Sequence, residues 1–357
     1  MNQHHSSNHK NAMMLRTTVS LILINLLWNS VLGFEKQLNF STYYDTNPLE
    51  STDERDPTQG LKVKGLIRFE KQAPSTQIYG SLLGQGFLEP ALFIDSKVVM
   101  NGELGGYHNF APGYRLHAGL TSFQKLYLND LQRSGRTTMI ASVKRFRPTG
   151  PQVEIGLKWT DSFIDYSSLF HYTSGRFFLK LMKQLRSSFS AEALIQLGRT
   201  NYSDYLAKQL TTHHDVVNSN VNQIDRSRLL GLHLKHLGKM IWGISLNHED
   251  LGSNSVTGKA QVWSGNLYAS GRISDEIFYH IMFHVVDKNY RYPELIDTSP
   301  FRDPEENIQN QVHLQLERVV QPGRVLYTQY SYIKNETVIN YWFYTKHLFE
   351  VGLKLTL

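Results

Sequence analysis

The residues whose types and spacing could do chemistry fall into three groups. The segment "TTHHDVV" holds His213, His214 and Asp215 side by side. A His–Asp pair can act as a general base, and two imidazoles can hold a metal. Hydrolysis needs more, either a second acid pair or a serine beside a polarised histidine. Zinc needs three or four ligands. No such second half stands at a fitting position, so no catalytic residue and no metal site is assigned, and the segment reads as a solvated loop. In the second group, His280 and His284 share one face of a strand, with His313 on the next. They read as imidazoles lining an inner face, with zinc as the lesser reading. The third group is basic. Lys62, Lys64 and Arg68 are even numbers of residues apart, which puts all three on one face of a strand.

These groups need elements to position them, and composition bounds what those elements are. The chain has 357 residues, 41% hydrophobic and 12% aromatic, with 25 Gly, 11 Pro and no Cys. Without Cys there is no disulfide framework and no thiol nucleophile. The aromatic content excludes a disordered chain. A mean hydropathy of -0.35 excludes a bundle of membrane helices. It leaves room for a transmembrane barrel, whose strands give only alternate residues to lipid. The formal charge of +6 comes without clustered Lys/Arg runs, so no nucleic-acid partner is expected. No nucleotide, zincin, EF-hand or nucleophile-elbow motif is present, and no cofactor is expected. Two acidic stretches, "DTNPLESTDERD" and "DTSPFRDPEEN", could attract divalent cations but read first as hydrated loops.

The two ends are the most patterned. Arg16, the apolar run Val19 to Trp28, and the small residues Val31 and Gly33 form a secretory signal pattern. Residues 1–33 are expected to be removed before Phe34, with translation starting at Met1, Met13 or Met14. At the other end, Phe349, Val351, Leu353, Leu355 and Leu357 alternate with Leu348, Glu350, Gly352, Lys354 and Thr356. Period two means a strand, and one apolar face means contact with a core or with lipid.

The same alternation recurs in "LKVKGLIRFE", "VEIGLKW", "AEALIQLG", "IFYHIMFHV" and "QVHLQLE". No long helical period appears between residues 34 and 357, with one short helical turn expected at most, over Tyr205 to Leu210. Short links (Ala73–Ser75, Arg147–Pro151, Arg186–Ser188, His236–Lys239, Ser274–Asp275, Gln321–Gly323) alternate with longer polar ones (Thr46–Gln59, Asn129–Gly135, Ser203–Asp225, Glu249–Gly258, Tyr290–Glu306, Asn335–Thr345). A sandwich has no reason to sort its links by parity, whereas a membrane barrel has short turns on one side and long loops on the other. The expected fold is all-β: one antiparallel up-and-down transmembrane barrel over residues 34–357. It has about sixteen strands, or fourteen if the Gly-rich stretch from Gln77 to Lys125 is miscounted. Tyr43, Tyr44, Trp159, Trp242, Trp263, Tyr330, Tyr332, Trp342 and Tyr344 are expected to supply interfacial girdles.

From Phe34 to Leu357 the chain resembles porin-like bacterial outer-membrane β-barrel proteins. Its closing strand is similar to their C-terminal signal, although Leu357 stands where Phe or Trp is usual. "FSTYYDTNPLE" and "QYSYIKNETVINYWFYTKHLFEVGLKLTL" are similar to barrel domains that follow helical repeats in export proteins. The link Asn129–Gly135 is shorter than the constriction loop of general porins. The resemblance implies location in the outer membrane, contact with its lipid, and recognition of the C-terminal strand by the outer-membrane assembly machinery.

With the apolar faces toward lipid, Lys62, Lys64, Arg68, Lys158, Arg176, Lys180, Lys235 and Lys354 are expected to line the lumen. So are the acids Glu70, Glu154, Glu192, Glu317 and Glu350 and the histidines His280, His284 and His313. The excess of cations favours anions, so the expected function is a channel for small polar solutes with an anion preference. Two other readings stay open: a non-conducting barrel for adhesion or envelope assembly, and a surface hydrolase with its site at the loop mouth.

Overall fold

The computed structural model describes residues 33–46, 57–88, 96–128, 133–147, 150–164, 171–212, 215–291, 310–335 and 344–357. Its strands are β1 (Gly33–Asp45), β2 (Thr58–Gln72), β3 (Thr76–Leu88), β4 (Lys97–Ala111), β5 (Tyr114–Tyr127), β6 (Arg133–Arg145), β7 (Gln152–Ile164) and β8 (Tyr172–Arg186). They continue as β9 (Phe189–Leu210), β10 (Val216–Leu237), β11 (Ile241–Ser253), β12 (Ala260–Arg272), β13 (Ile277–Tyr290), β14 (Asn310–Gln321), β15 (Arg324–Asn335) and β16 (Tyr344–Thr356). Each strand pairs antiparallel with its sequence neighbours, and β1 pairs with β16, which closes a sixteen-stranded barrel. Closure satisfies the backbone groups that an open edge would leave unpaired in lipid, at several kcal/mol each.

Direct cross-strand partners share a face, so the register sorts every described strand residue into an inner or an outer set. The outer set is apolar and exposed: Phe40, Leu61, Leu157, Phe177, Leu232, Leu246 and Val351 are each 43% exposed or more. The inner set is polar and far less exposed. In β1 the inner Asn39, Ser41, Tyr43 and Asp45 are buried while the outer Phe40 and Tyr44 are not. A polar interior and an apolar exterior invert the layering of a water-soluble barrel.

Short turns gather at the end of the barrel that carries both strand termini, and the longer links at the other; these are called here the turn end and the loop end. Two tight turns are Pro-Gly pairs, at Pro112–Gly113 and Pro322–Gly323. Their glycines have φ of 76° and 74°. Proline presets the second position of a type II turn, and the third position requires φ above zero, which glycine adopts without steric cost.

Several links differ from expectation. The Gly-rich stretch folds as β3, β4 and most of β5, which keeps the count at sixteen. The expected loop Ser203–Asp225 is instead the far half of a long hairpin. β9 and β10 run 22 residues each and rise beyond their neighbours, and at their far ends the Thr211 N–H donates to the Asp215 carbonyl at 2.9 Å. The expected helical turn at Tyr205–Leu210 is therefore strand. The hairpin is braced at its base, where the Tyr202 hydroxyl (3.1 Å) and the Gln223 amide (2.9 Å) both donate to Asp225. From the neighbouring loop, Ser255 Oγ accepts the Lys208 N–H at 3.0 Å. β11 likewise runs on to Ser253, shortening the expected link Glu249–Gly258.

Candidate functional site in the barrel lumen

Every residue expected to line the lumen stands on the inner face, and the inner wall divides into two chemically different regions. The first spans the seam between β16 and β1. Glu350, 2% exposed, accepts at Oε1 from Ser41 Oγ (2.7 Å) and the Tyr327 hydroxyl (2.5 Å), and at Oε2 from Lys62 Nζ (2.9 Å). Four strands, β1, β2, β15 and β16, thus meet on one carboxylate. Lys346 pairs with Asp45 across the same seam at 2.7 Å. Lys354 pairs with Glu317, which also accepts from Gln315. Lys64 and Lys354 flank Asn39 in the register. Arg68 and Glu35 lie 3.8 Å apart near the turn end, both more than half exposed, where an ion pair contributes little.

The three histidines sit on the same side of the barrel without converging. His280 Nδ1 lies 3.0 Å from Ser270 Oγ, His284 Nδ1 2.5 Å from Asn266 Oδ1, and His313 Nδ1 3.0 Å from Ser331 Oγ. Each ring is thus held by a hydroxyl or amide on the neighbouring strand. His213 and His214 lie outside the described residues.

The second region is the opposite wall, on β5 to β9. Lys158 and Arg176 are direct cross-strand partners on the inner face. Arg136 joins them, and the three line a recess of about 270 Å³ with Thr121, Thr138, Thr160, Tyr172, Ser174 and Thr200. The hydroxyls form ladders, with Thr138 to Thr160 at 3.1 Å and Thr200 to Ser174 at 3.1 Å. Among the described residues, no carboxylate lines this recess. Lys158 is the seventh of the thirteen residues of β7, so the recess sits about halfway through the wall. Nearer the turn end a carboxylate enters the same wall. Glu154 stands between Lys144 and Lys180 in the register and accepts from Ser142 at 2.7 Å. Lys235 and Glu192 line a separate recess of about 400 Å³ with His233 and Asn266.

Sequence reasoning missed Arg136, which falls just past the link Asn129–Gly135 where alternation is hard to phase. Two signals pointed to it: Arg136 and Thr138 lie two apart, and Met139, Ala141 and Val143 then alternate on the other face. Register also adds Lys97, Arg115, Lys125, Lys144, Lys288 and Lys346 to the inner face, together with Asp45, Glu103, Asp225 and Glu249.

On the outer face, aromatic side chains border the apolar band. Tyr44 and Tyr330 approach Phe349, with ring centroids 6.5 and 4.9 Å away. Trp263 lies 4.5 Å from His248, and Trp242 5.7 Å from Phe189 near the turn end. Tyr43 belongs to no such girdle. It points inward, 4% exposed, and its ring lies over Gly60, where a Cβ would meet Tyr43 Cζ at 2.3 Å. Trp342 lies outside the described residues, as does the side chain of Tyr344.

An even number of strands, both termini at the turn end, an apolar exterior between aromatic borders and a charged interior all belong to one architecture. The chain has the fold of an outer-membrane β-barrel. No protein-family model matches the sequence, and no curated protein does. Solved structures of similar shape include OmpT of Vibrio cholerae in its trimer form, an outer membrane protein with 10% identity and a TM-score of 0.47, covering 92% of this chain and 99% of that one. CdiB of Acinetobacter baumannii has 12% identity and a TM-score of 0.46, covering 89% and 60%. The toluene transporter TodX of Pseudomonas putida has 8% identity and a TM-score of 0.38, covering 93% and 90%. What the barrel does is read from its own inner wall.

Proposed function

We propose that the barrel is a channel for small polar solutes with a preference for anions. The observation that carries this reading is the recess formed by Arg136, Lys158 and Arg176 among hydroxyl side chains, with no acid in its lining among the described residues. Barrels of sixteen strands are wide enough to leave an aqueous channel, and rings of Arg and Lys in a pore wall favour anions. A guanidinium offers a fork of donors to an oxyanion, and the Ser and Thr hydroxyls can replace part of its hydration shell. The opposite wall supports the same reading by contrast. There Lys62, Lys346 and Lys354 are paired with Glu350, Asp45 and Glu317.

The solutes are accordingly small anions and neutral polar molecules. The C-terminal strand, apolar at alternate positions out to Leu357, is the segment offered to the assembly machinery. The test is the current carried by purified barrel in a planar bilayer under a salt gradient. Stepwise conductance with a reversal potential on the anion side supports the channel. A barrel that inserts but stays silent overturns it and favours a non-conducting role in adhesion or envelope assembly.

A further inference from the structure

Arg199 and Arg226 are direct cross-strand partners on β9 and β10, and both point outward and are exposed. Like charges directly opposite one another destabilise a strand pair. A third arginine, Arg228, lies two residues along the same face. Its partners are Leu197 on β9 and Asp250 on β11. Among the described residues, no ion pair joins Asp250 to any of the three.

The position of these arginines gives the repulsion a purpose. Along β9 the outer face reads Ala191, Ala193, Ile195 and Leu197 before Arg199. Along β10 it reads Leu234, Leu232 and Leu230 before Arg228 and Arg226. Ile195, Leu197, Leu230 and Leu232 are 45 to 65% exposed, as lipid-facing side chains are. Trp263, which marks the interface as tryptophans do, reaches Leu230 through its register partner His248. The arginines therefore begin within one step of the last lipid-facing leucines, on the loop side, at the level of lipid headgroups. They open onto a concavity of about 950 Å³ on the outside of the barrel, which Lys259 and Arg291 also line, with Asp250 as its one carboxylate among the described residues.

We propose that this groove binds the phosphate groups of a phosphorylated glycolipid of the outer leaflet, clamped between Arg199, Arg226 and Arg228. A phosphate placed between two opposed guanidiniums turns their repulsion into two charge-assisted contacts. The acyl chains would continue down the leucine face immediately below. This site faces lipid and is independent of the channel reading.

The experiment uses the full barrel folded in detergent. Native mass spectrometry would count bound lipid after addition of diphosphorylated lipid A, of its dephosphorylated counterpart, and of inorganic phosphate as competitor. Wild type should retain the diphosphorylated lipid. The Arg199→Gln/Arg226→Gln variant should bind it about tenfold or more weakly, since each lost contact is of charge-assisted strength. Equal retention of the dephosphorylated lipid, or unchanged binding by the variant, overturns the proposal. Complete displacement by millimolar inorganic phosphate shows a free-anion site and also overturns the lipid assignment. A thermal measurement covers a variant that folds poorly, with Arg226→Gln alone as a milder change. Without lipid, removing one of two opposed charges should leave the unfolding temperature equal or higher. With diphosphorylated lipid A, wild type should gain more than the variant. A variant less stable than wild type by the same margin in both conditions would show a merely structural role.

Discussion

Lys158 and Arg176 face each other across β7 and β8 on the inner wall, two like charges held in register at mid-height of the barrel. Such a pair costs stability in a strand ladder, and with Arg136 beside it the cost concentrates where a permeating anion would pass. Replacing all three with Gln should move the reversal potential in a salt gradient toward cations. The shift should be large at 0.1 M salt, where the screening length is about 10 Å, and small at 1 M, where it is about 3 Å. The same change at Lys62, Lys64 and Arg68 should have a smaller effect, because the Lys62 side chain is only 13% exposed within the seam and Arg68 lies near the turn end rather than at mid-height. Equal shifts from the two triple variants would remove the distinction between the walls.

Glu350 is the polar fastening of the seam. Its removal leaves Lys62, with its side chain only 13% exposed, charged and without its carboxylate. Breaking a buried pair from one side costs about 3–5 kcal/mol. Glu350→Gln should therefore lower the midpoint of urea unfolding in lipid vesicles substantially. Adding Lys62→Gln to it should recover part of the loss, because the stranded charge is gone. A double variant that is fully additive would show that the two residues do not act as a pair.

Much of this was legible in the sequence because lipid and water sort side chains at every second residue. "HLFEVGLKLTL" and "VEIGLKW" carry their faces openly, and the parity of the links gives the strand count. The β9–β10 hairpin was not legible for the same physical reason. Beyond the bilayer both faces of a strand meet water, so "TNYSDYLAKQL" and "VVNSNVNQID" lose the alternation and read as loop. A register shift between Asn218 and Ile224 blurs the pattern further. The turn at Pro112–Gly113 carries the same dipeptide as Pro322–Gly323, yet it was hidden in a stretch where glycine replaces the apolar outer residues. Within the lumen, the faces were readable but the pairings were not. Which lysines are neutralised depends on strands distant in sequence, as with Lys62 and Glu350.

We propose that residues 1–33 are removed on export, on the charged, apolar and small-residue succession ending at Gly33. Amino-terminal sequencing of the protein from an outer-membrane fraction should begin at Phe34. An intact start at Met1, Met13 or Met14 in that fraction would sink the cleavage argument.

The two faces of β16 provide the last check. Val351 points outward, 57% exposed, at the middle of the strand, and Lys354 points inward to Glu317. An arginine on the lipid face near the bilayer midplane costs about 2–4 kcal/mol. Val351→Arg should therefore reduce the fraction of chains that fold into vesicles far more than Lys354→Gln, which leaves a polar side chain on a polar wall. Lys354→Glu is the wrong comparison, because it would place a second carboxylate against Glu317. The measurement is the yield of folded barrel, read from the mobility difference between unheated and heated samples. Equal yields would mean that β16 is displaced by one residue from the register described, since that slip exchanges every side chain between lumen and lipid.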